Sequence, residues 1–176
     1  ASMRFGLSCL TMAAAGDHLF AYLRGPWTLT KRVEYRRGGD FGTWRGGAVF
    51  EETSAQTTLR LEERGELFFD RSPDRGVDMT AKALAFDLSR APAAVFFAED
   101  PPLPFFVFDA ARVADGAAAD FSPHLCGDDT YYGSMRIDGR DDFSIRWTVT
   151  GPAKDGSITQ HFHRRRAAST HDAAEC

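Results

Sequence analysis

An all-β fold is predicted, an antiparallel barrel of roughly ten strands behind one short N-terminal helix, and three observations predict it. Apolar and polar residues alternate with period two over most of the chain, the pattern of half-buried strands. Turn signals such as Gly38-Gly39-Asp40 and Asp138-Gly139-Arg140-Asp141 separate those runs at short intervals, which leaves little room for helices. Strands joined by short links pack as a sandwich or close on themselves, and closure is favoured because it removes exposed edges. At about ten strands the interior of a barrel can exceed what its side chains fill. The 15 Phe residues suit a wide apolar interior, packed solid or partly hollow.

The elements follow in order. Leu19, Phe20, Tyr22 and Leu23 come after Asp17, a good N-cap, and stop at Gly25-Pro26, so a short amphipathic helix is expected, with room to extend back through Ala13 to Ala15. Trp27, Leu29, Lys31, Val33 and Tyr35 then alternate with Thr28, Thr30, Arg32 and Glu34, a strand with one face buried. Trp44 to Glu52 forms the next. Thr57 to Glu63 and Leu67 to Asp70 flank Arg64-Gly65-Glu66, which reads as a tight hairpin, and Pro73-Asp74-Arg75-Gly76 reads as another turn before a strand over Asp78 to Leu88. Ala93 to Glu99 is a strand, Asp100-Pro101-Pro102 breaks it, and Phe105 to Asp109 resumes. Ala117 to Cys126, Thr130 to Asp138, Phe143 to Thr150 and Ser157 to His163 complete the set, the last hairpin lying at Lys154-Asp155-Gly156.

One domain is expected over residues 12–166. Before it, residues 1–11 read as a non-native remnant and an N-terminal extension, because Ala1-Ser2 precede Met3; after it, 167–176 reads as a polar, loosely held tail. A formal charge of -4 argues against a nucleic-acid partner, and the basic run Arg164-Arg165-Arg166 reads as the solvated end of the last strand. Cys9, Cys126 and Cys176 are odd in number and far apart, a poor disulfide framework that suits a reducing compartment. A cytoplasmic protein is expected, the alternative being a short signal or transit segment in FGLSCLTMAAA. No apolar run reaches the ~20 residues of a membrane span.

Several motifs carry a resemblance. Phe20, Leu23, Gly25 and Trp27 are followed by Gly47, Ala48 and Phe50 and then by Glu63, Gly65 and Leu67. Later come His124-Leu125-Cys126-x-x-Asp129-x-Tyr131-x-Gly133 and Trp147-x-Val149-x-Gly151-Pro152-x-Lys154-Asp155. Together, over about Phe20 to Arg164, they resemble an uncharacterised family of small bacterial and protist proteins, a domain of unknown function marked by HLCxxDxY and WxVxGPxKD. The resemblance implies a calycin-like barrel, similar in plan to lipocalins and fatty-acid-binding proteins, and no established activity. Where the family shows a Phe-His pair, this chain has Phe105-Phe106 after a Pro-rich turn, so any mechanism needing that imidazole is in doubt.

The reactive side chains concentrate in the same late stretch. His124 and Cys126 stand two apart on a strand, hence on one face and about 6.5–7 Å apart. A hairpin could bring Asp129 and Tyr131 to the same spot. The donor types suit zinc but the spacing matches no established zinc pattern. His124 could activate a Cys126 thiolate, without any sign of an oxyanion hole. The plainer reading has His124 and Asp129 satisfying backbone groups while Cys126 packs as a small hydrophobe. Among the charges, Arg32, Glu63, Arg136, Arg146 and Lys154 stand out. The three Arg fall out of phase with the apolar faces and would point outward from a packed barrel. In a ligand barrel one of them, with Tyr131 or Tyr132, could hold a carboxylate. Trp27 reads as a plug at a closed end, and His161 and His163 face water opposite Ile158, Gln160 and Phe162. The expected function is binding of a small apolar or amphipathic molecule inside the barrel. The ligand-binding candidates are His124, Cys126, Asp129, Tyr131, Arg32, Arg136, Trp147 and Lys154, with no catalytic or metal residue assigned and the cofactor unknown. An enzyme of the same fold using the His124 cluster, or an interaction module with a packed barrel docking through its outer face or its Pro101 to Pro104 rim, are the alternatives.

Overall fold

The alternation from Trp27 to Tyr35 becomes strand β1 (Gly25–Arg37) of a nearly closed antiparallel barrel in the computed structural model, which describes residues 12–39, 41–55, 57–80 and 83–165. Helix α1 (Met12–Leu23) precedes it. After it come β2 (Phe41–Glu52), β3 (Thr58–Phe69), β4 (Ser72–Thr80), β5 (Leu84–Asp87), β6 (Ala93–Phe97) and β7 (Leu103–Phe108). Helix α2 (Ala110–Ala114) leads to β8 (Ala119–Asp120), β9 (His124–Cys126), β10 (Asp129–Gly139), β11 (Asp142–Thr150) and β12 (Asp155–Arg164). Ten strands form one path, β7-β6-β5-β3-β2-β1-β12-β11-β10-β8, with β4 added on β3 and β9 on β10. The seam between the ends of that path is drawn together by a bridge between Phe108 and Phe121. There the Ser122 amide donates to the Val107 carbonyl at 2.9 Å, and the Val107 amide donates to Ser122 Oγ at 3.0 Å.

One end of the barrel is filled. Leu19 and Leu23 of α1 are fully buried against Trp27, Phe50, Phe86, Phe143 and Phe162. Phe143 stacks on Phe162 with ring centres 4.1 Å apart, and Trp27 meets Phe143 edge-on at 4.8 Å. Trp27 Nε1 donates to the Leu23 carbonyl at 2.7 Å, so the indole satisfies the end of the helix as it plugs the barrel.

The structure corrects several expectations. Arg64-Gly65-Glu66 is not a hairpin: β3 runs straight through it, with Gly65 paired to Gly46 of β2, and the chain turns at Asp70-Arg71 instead. Pro73 to Gly76 lies inside β4, where a register shift absorbs it; among the described residues β4 pairs only with β3, and an outer strand tolerates a proline that cannot donate. The segment 78–88 divides between β4 and β5, which pair with opposite halves of β3. Ahead of the predicted strand over 117–126 lies α2, whose N-cap Asp109 accepts from the Ala111 and Arg112 amides at 3.0 and 3.3 Å, and the strand itself divides into β8 and β9. Asp17 lies within α1 rather than at its start. Arg164 is no frayed end: its guanidinium lies 4.0 Å from the centre of the Trp27 ring and donates to the Tyr22 and Arg24 carbonyls. The expectations for Cys9, Cys176, the N-terminal segment 1–11 and the tail 167–176 lie outside the described residues.

Candidate functional site

The other half of the barrel is hollow. A cavity of about 450 Å³ is walled by residues from both sides of the sheet. Its floor is buried: Leu61, Phe86, Phe106, Ile145, Trp147 and Phe162. Towards the far end exposure rises through Tyr35, Leu84, Phe97 and Phe105, all partly exposed, to Met79, which is 46% exposed, so the mouth lies on that side. The period-two pattern explains the lining, because Val33 and Tyr35 of β1 and Ile158 and Phe162 of β12 occupy inward positions of paired strands.

One ion pair and one amide interrupt this largely apolar wall. Lys31 and Glu63 form an ion pair across β2 with only 14% and 8% of their side-chain surfaces exposed, and Gln160 stands beside Lys31 as its register partner on β12. Two glycines make the arrangement fit. Gly46 and Gly65 face each other on β2 and β3, and a side-chain carbon at either would meet the Trp44 ring 2.7 Å away. The indole therefore lies across them, tethered by Nε1 donating to the Met79 carbonyl at 3.3 Å. Lys31 Nζ sits 4.8 Å from the Trp44 ring centre, a cation–π contact of about 0.5–2 kcal/mol. Among the described residues the Gln160 amide has no hydrogen-bond partner, and Glu63 accepts only from Lys31.

The late-motif cluster forms the neighbouring rim. His124 packs edge-on against Phe105 at 4.7 Å and near Tyr131 at 6.1 Å, while Phe105 stacks on Phe97 and on Trp147. Lys154 Nζ donates to the Tyr131 hydroxyl at 3.2 Å, which raises the lysine above its ordinary range. Burial first, and then the Tyr131 phenol, push Tyr35 up to about 12. Asp129 is buried and accepts from the Ala153 and Lys154 amides at 3.0 and 3.1 Å, holding the β11–β12 turn. Cys126 is exposed rather than packed, and among the described residues neither it nor His124 makes a hydrogen bond of the kind that activates a thiol. No group of three or more His, Cys, Asp or Glu among those residues is placed to hold a metal ion.

The eight sequence candidates therefore separate. Trp147 lines the cavity; His124 and Tyr131 stand at its rim with Lys154; Asp129 braces that rim, and Cys126 is exposed beside it. Arg32 and Arg136 lie on the outer face, Arg32 in a two-pronged contact with Asp70 at 2.7 Å and Arg136 with Asp138. Sequence reasoning passed over Lys31 and Gln160, although both stand in phase with apolar neighbours: Lys31 with Leu29 and Val33, Gln160 with Ile158 and Phe162. A charged or amide side chain in step with a buried face is the signal that finds them.

Residues 23–164 match the family of unknown function DUF6314. The chain belongs to that family. No functionally curated protein matches it. Among solved structures, the DUF6314 barrel is similar to the S-type phycobiliprotein lyase CPES from Guillardia theta, with a TM-score of 0.55 at 7% identity over 87% of this chain and 96% of that one. It is also similar to Rv2717c from M. tuberculosis, with a TM-score of 0.53 at 14% identity over 89% of this chain and all of the other. At such identities the likeness is one of fold. Among the described residues no helix is long and apolar enough to cross a membrane.

Proposed function

We propose that this DUF6314 barrel binds a small apolar or amphipathic molecule in its interior. The observation that carries the reading is the cavity itself: about 450 Å³, walled by aromatic and aliphatic side chains and open on one side, with Lys31, Glu63 and Gln160 as its polar points. That volume falls in the range of about 300–1,000 Å³ typical of small-molecule sites, and an apolar wall with a few placed polar groups is their usual make-up. Phe97 and Phe105 at the mouth, backed by His124 and Tyr131, would contact the outer end of such a ligand.

Native mass spectrometry of freshly purified protein, set against its denatured mass, tests the reading. An excess mass lost on denaturation is expected. A bare protein that also gives no saturable fluorescence gain with N-phenylnaphthylamine, an uncharged probe of apolar sites, would sink it.

A further inference from the structure

We infer that the cavity selects neutral over anionic amphiphiles and that Glu63 sets this selectivity; the inference rests on the ligand-binding reading above. An ion pair buried in an apolar wall is a poor choice for stability alone, because well-packed apolar residues of the same volume usually do as well. Its value lies in what it offers a guest. Lys31 carries three N–H donors, of which one goes to Glu63, and Glu63, which lines the same cavity, keeps a second carboxylate oxygen that accepts from nothing among the described residues. Gln160 adds a free amide with both a donor and an acceptor.

Charge decides which head groups fit. Among the described residues Lys31 is the one cation that lines the cavity, and Glu63 already compensates it. A guest carboxylate would have to share that ammonium with Glu63, placing two like charges side by side in a low-dielectric site, or displace Glu63 and leave a buried charge unpaired. The other candidate cations stand elsewhere: Arg32 is tied to Asp70 outside the barrel, Arg136 and Arg146 line the outer face of β10 and β11, and Lys154 stands at the rim, outside the cavity lining, with its ammonium on Tyr131. A neutral head that both accepts and donates, such as an amide or an alcohol, can accept from Lys31 and donate to Glu63 with the pair intact. Trp44 beneath the ammonium holds it in place for that contact.

The test displaces N-phenylnaphthylamine from the protein with decanamide or decanoate at neutral pH. The wild-type protein is expected to bind the amide at least about tenfold more tightly than the acid. Glu63→Gln keeps the shape and leaves Lys31 uncompensated, so decanoate should gain about tenfold and the preference narrow or invert. The double variant Lys31→Gln/Glu63→Gln, which leaves no buried charge, should lose the preference between them that depends on charge, and it serves if the single variant folds poorly. A wild-type preference for decanoate, or a ratio unmoved by Glu63→Gln, would overturn the inference while leaving the ligand barrel standing. Failure of the probe and both competitors to bind would overturn the two together.

Discussion

The two ends of this barrel use the same kinds of residue to opposite effect. At the α1 end Trp27, Phe143 and Phe162 interlock, and the polar groups among them are committed to backbone: Trp27 to Leu23, Arg164 to Tyr22 and Arg24, the Tyr22 hydroxyl to Gly139 and Asp142. At the other end Phe97, Phe105 and Trp147 line a void; among the described residues Lys31 pairs with Glu63 over the Trp44 ring and the Gln160 amide has no hydrogen-bond partner. The contrast teaches where stability and function separate. At the filled end the polar groups are tied to backbone; at the hollow end they face the cavity, where the proposed ligand would meet them.

Substitutions can break or sharpen that contrast. The largest effect is expected at the filled end: Trp27→Ala removes a fully buried ring and its bond to α1, costing about 3–5 kcal/mol in urea unfolding. Next comes Lys31→Met, which strands Glu63 and should cost about 3 kcal/mol or less, since the cavity gives the carboxylate some access to water; Lys31→Met/Glu63→Leu should recover most of it. A double variant no more stable than the single would mean that the pair holds the fold and is not there for a guest. Asp129→Ala should cost about 1–3 kcal/mol, because the Ala153 and Lys154 amides lose their acceptor, and it should leave probe affinity little changed if Asp129 is a brace. The smallest effect belongs to the outer face. Arg32 holds the Asp70 carboxyl below its usual range, so this pair contributes above the ordinary carboxylate pKa of about 4 and is lost as pH falls through the lower folded value. Arg32→Met should therefore flatten the dependence of Tm on pH only in that acid window, with probe binding unchanged.

Much of the fold was legible locally. Alternation placed β1, β2, β10, β11 and β12, and the turn residues between them placed most of their boundaries. It failed at Arg64-Gly65-Glu66 because a glycine flanked by charges has the same local signature whether the chain turns or another strand must come close. It failed at Pro73 to Gly76 because an outer strand tolerates what an inner one does not. The rim motif was conspicuous because His, Cys, Asp and Tyr are reactive residue types, yet the Asp holds a turn and the exposed Cys has no activating hydrogen bond among the described residues.

Residue order by itself determined that the chain is strand-rich, that its strands bury one face each, and that Lys31 and Gln160 stand in phase with those faces. Only the tertiary structure decided that Lys31 reaches Glu63 across β2, that Gly46 and Gly65 make room for Trp44 beneath it, and that one end is filled while the other is hollow. The physical reason is register. Which inward side chains meet depends on how β1, β2 and β3 are aligned and on how α1 plugs one mouth, and both are set by contacts between residues far apart in the chain.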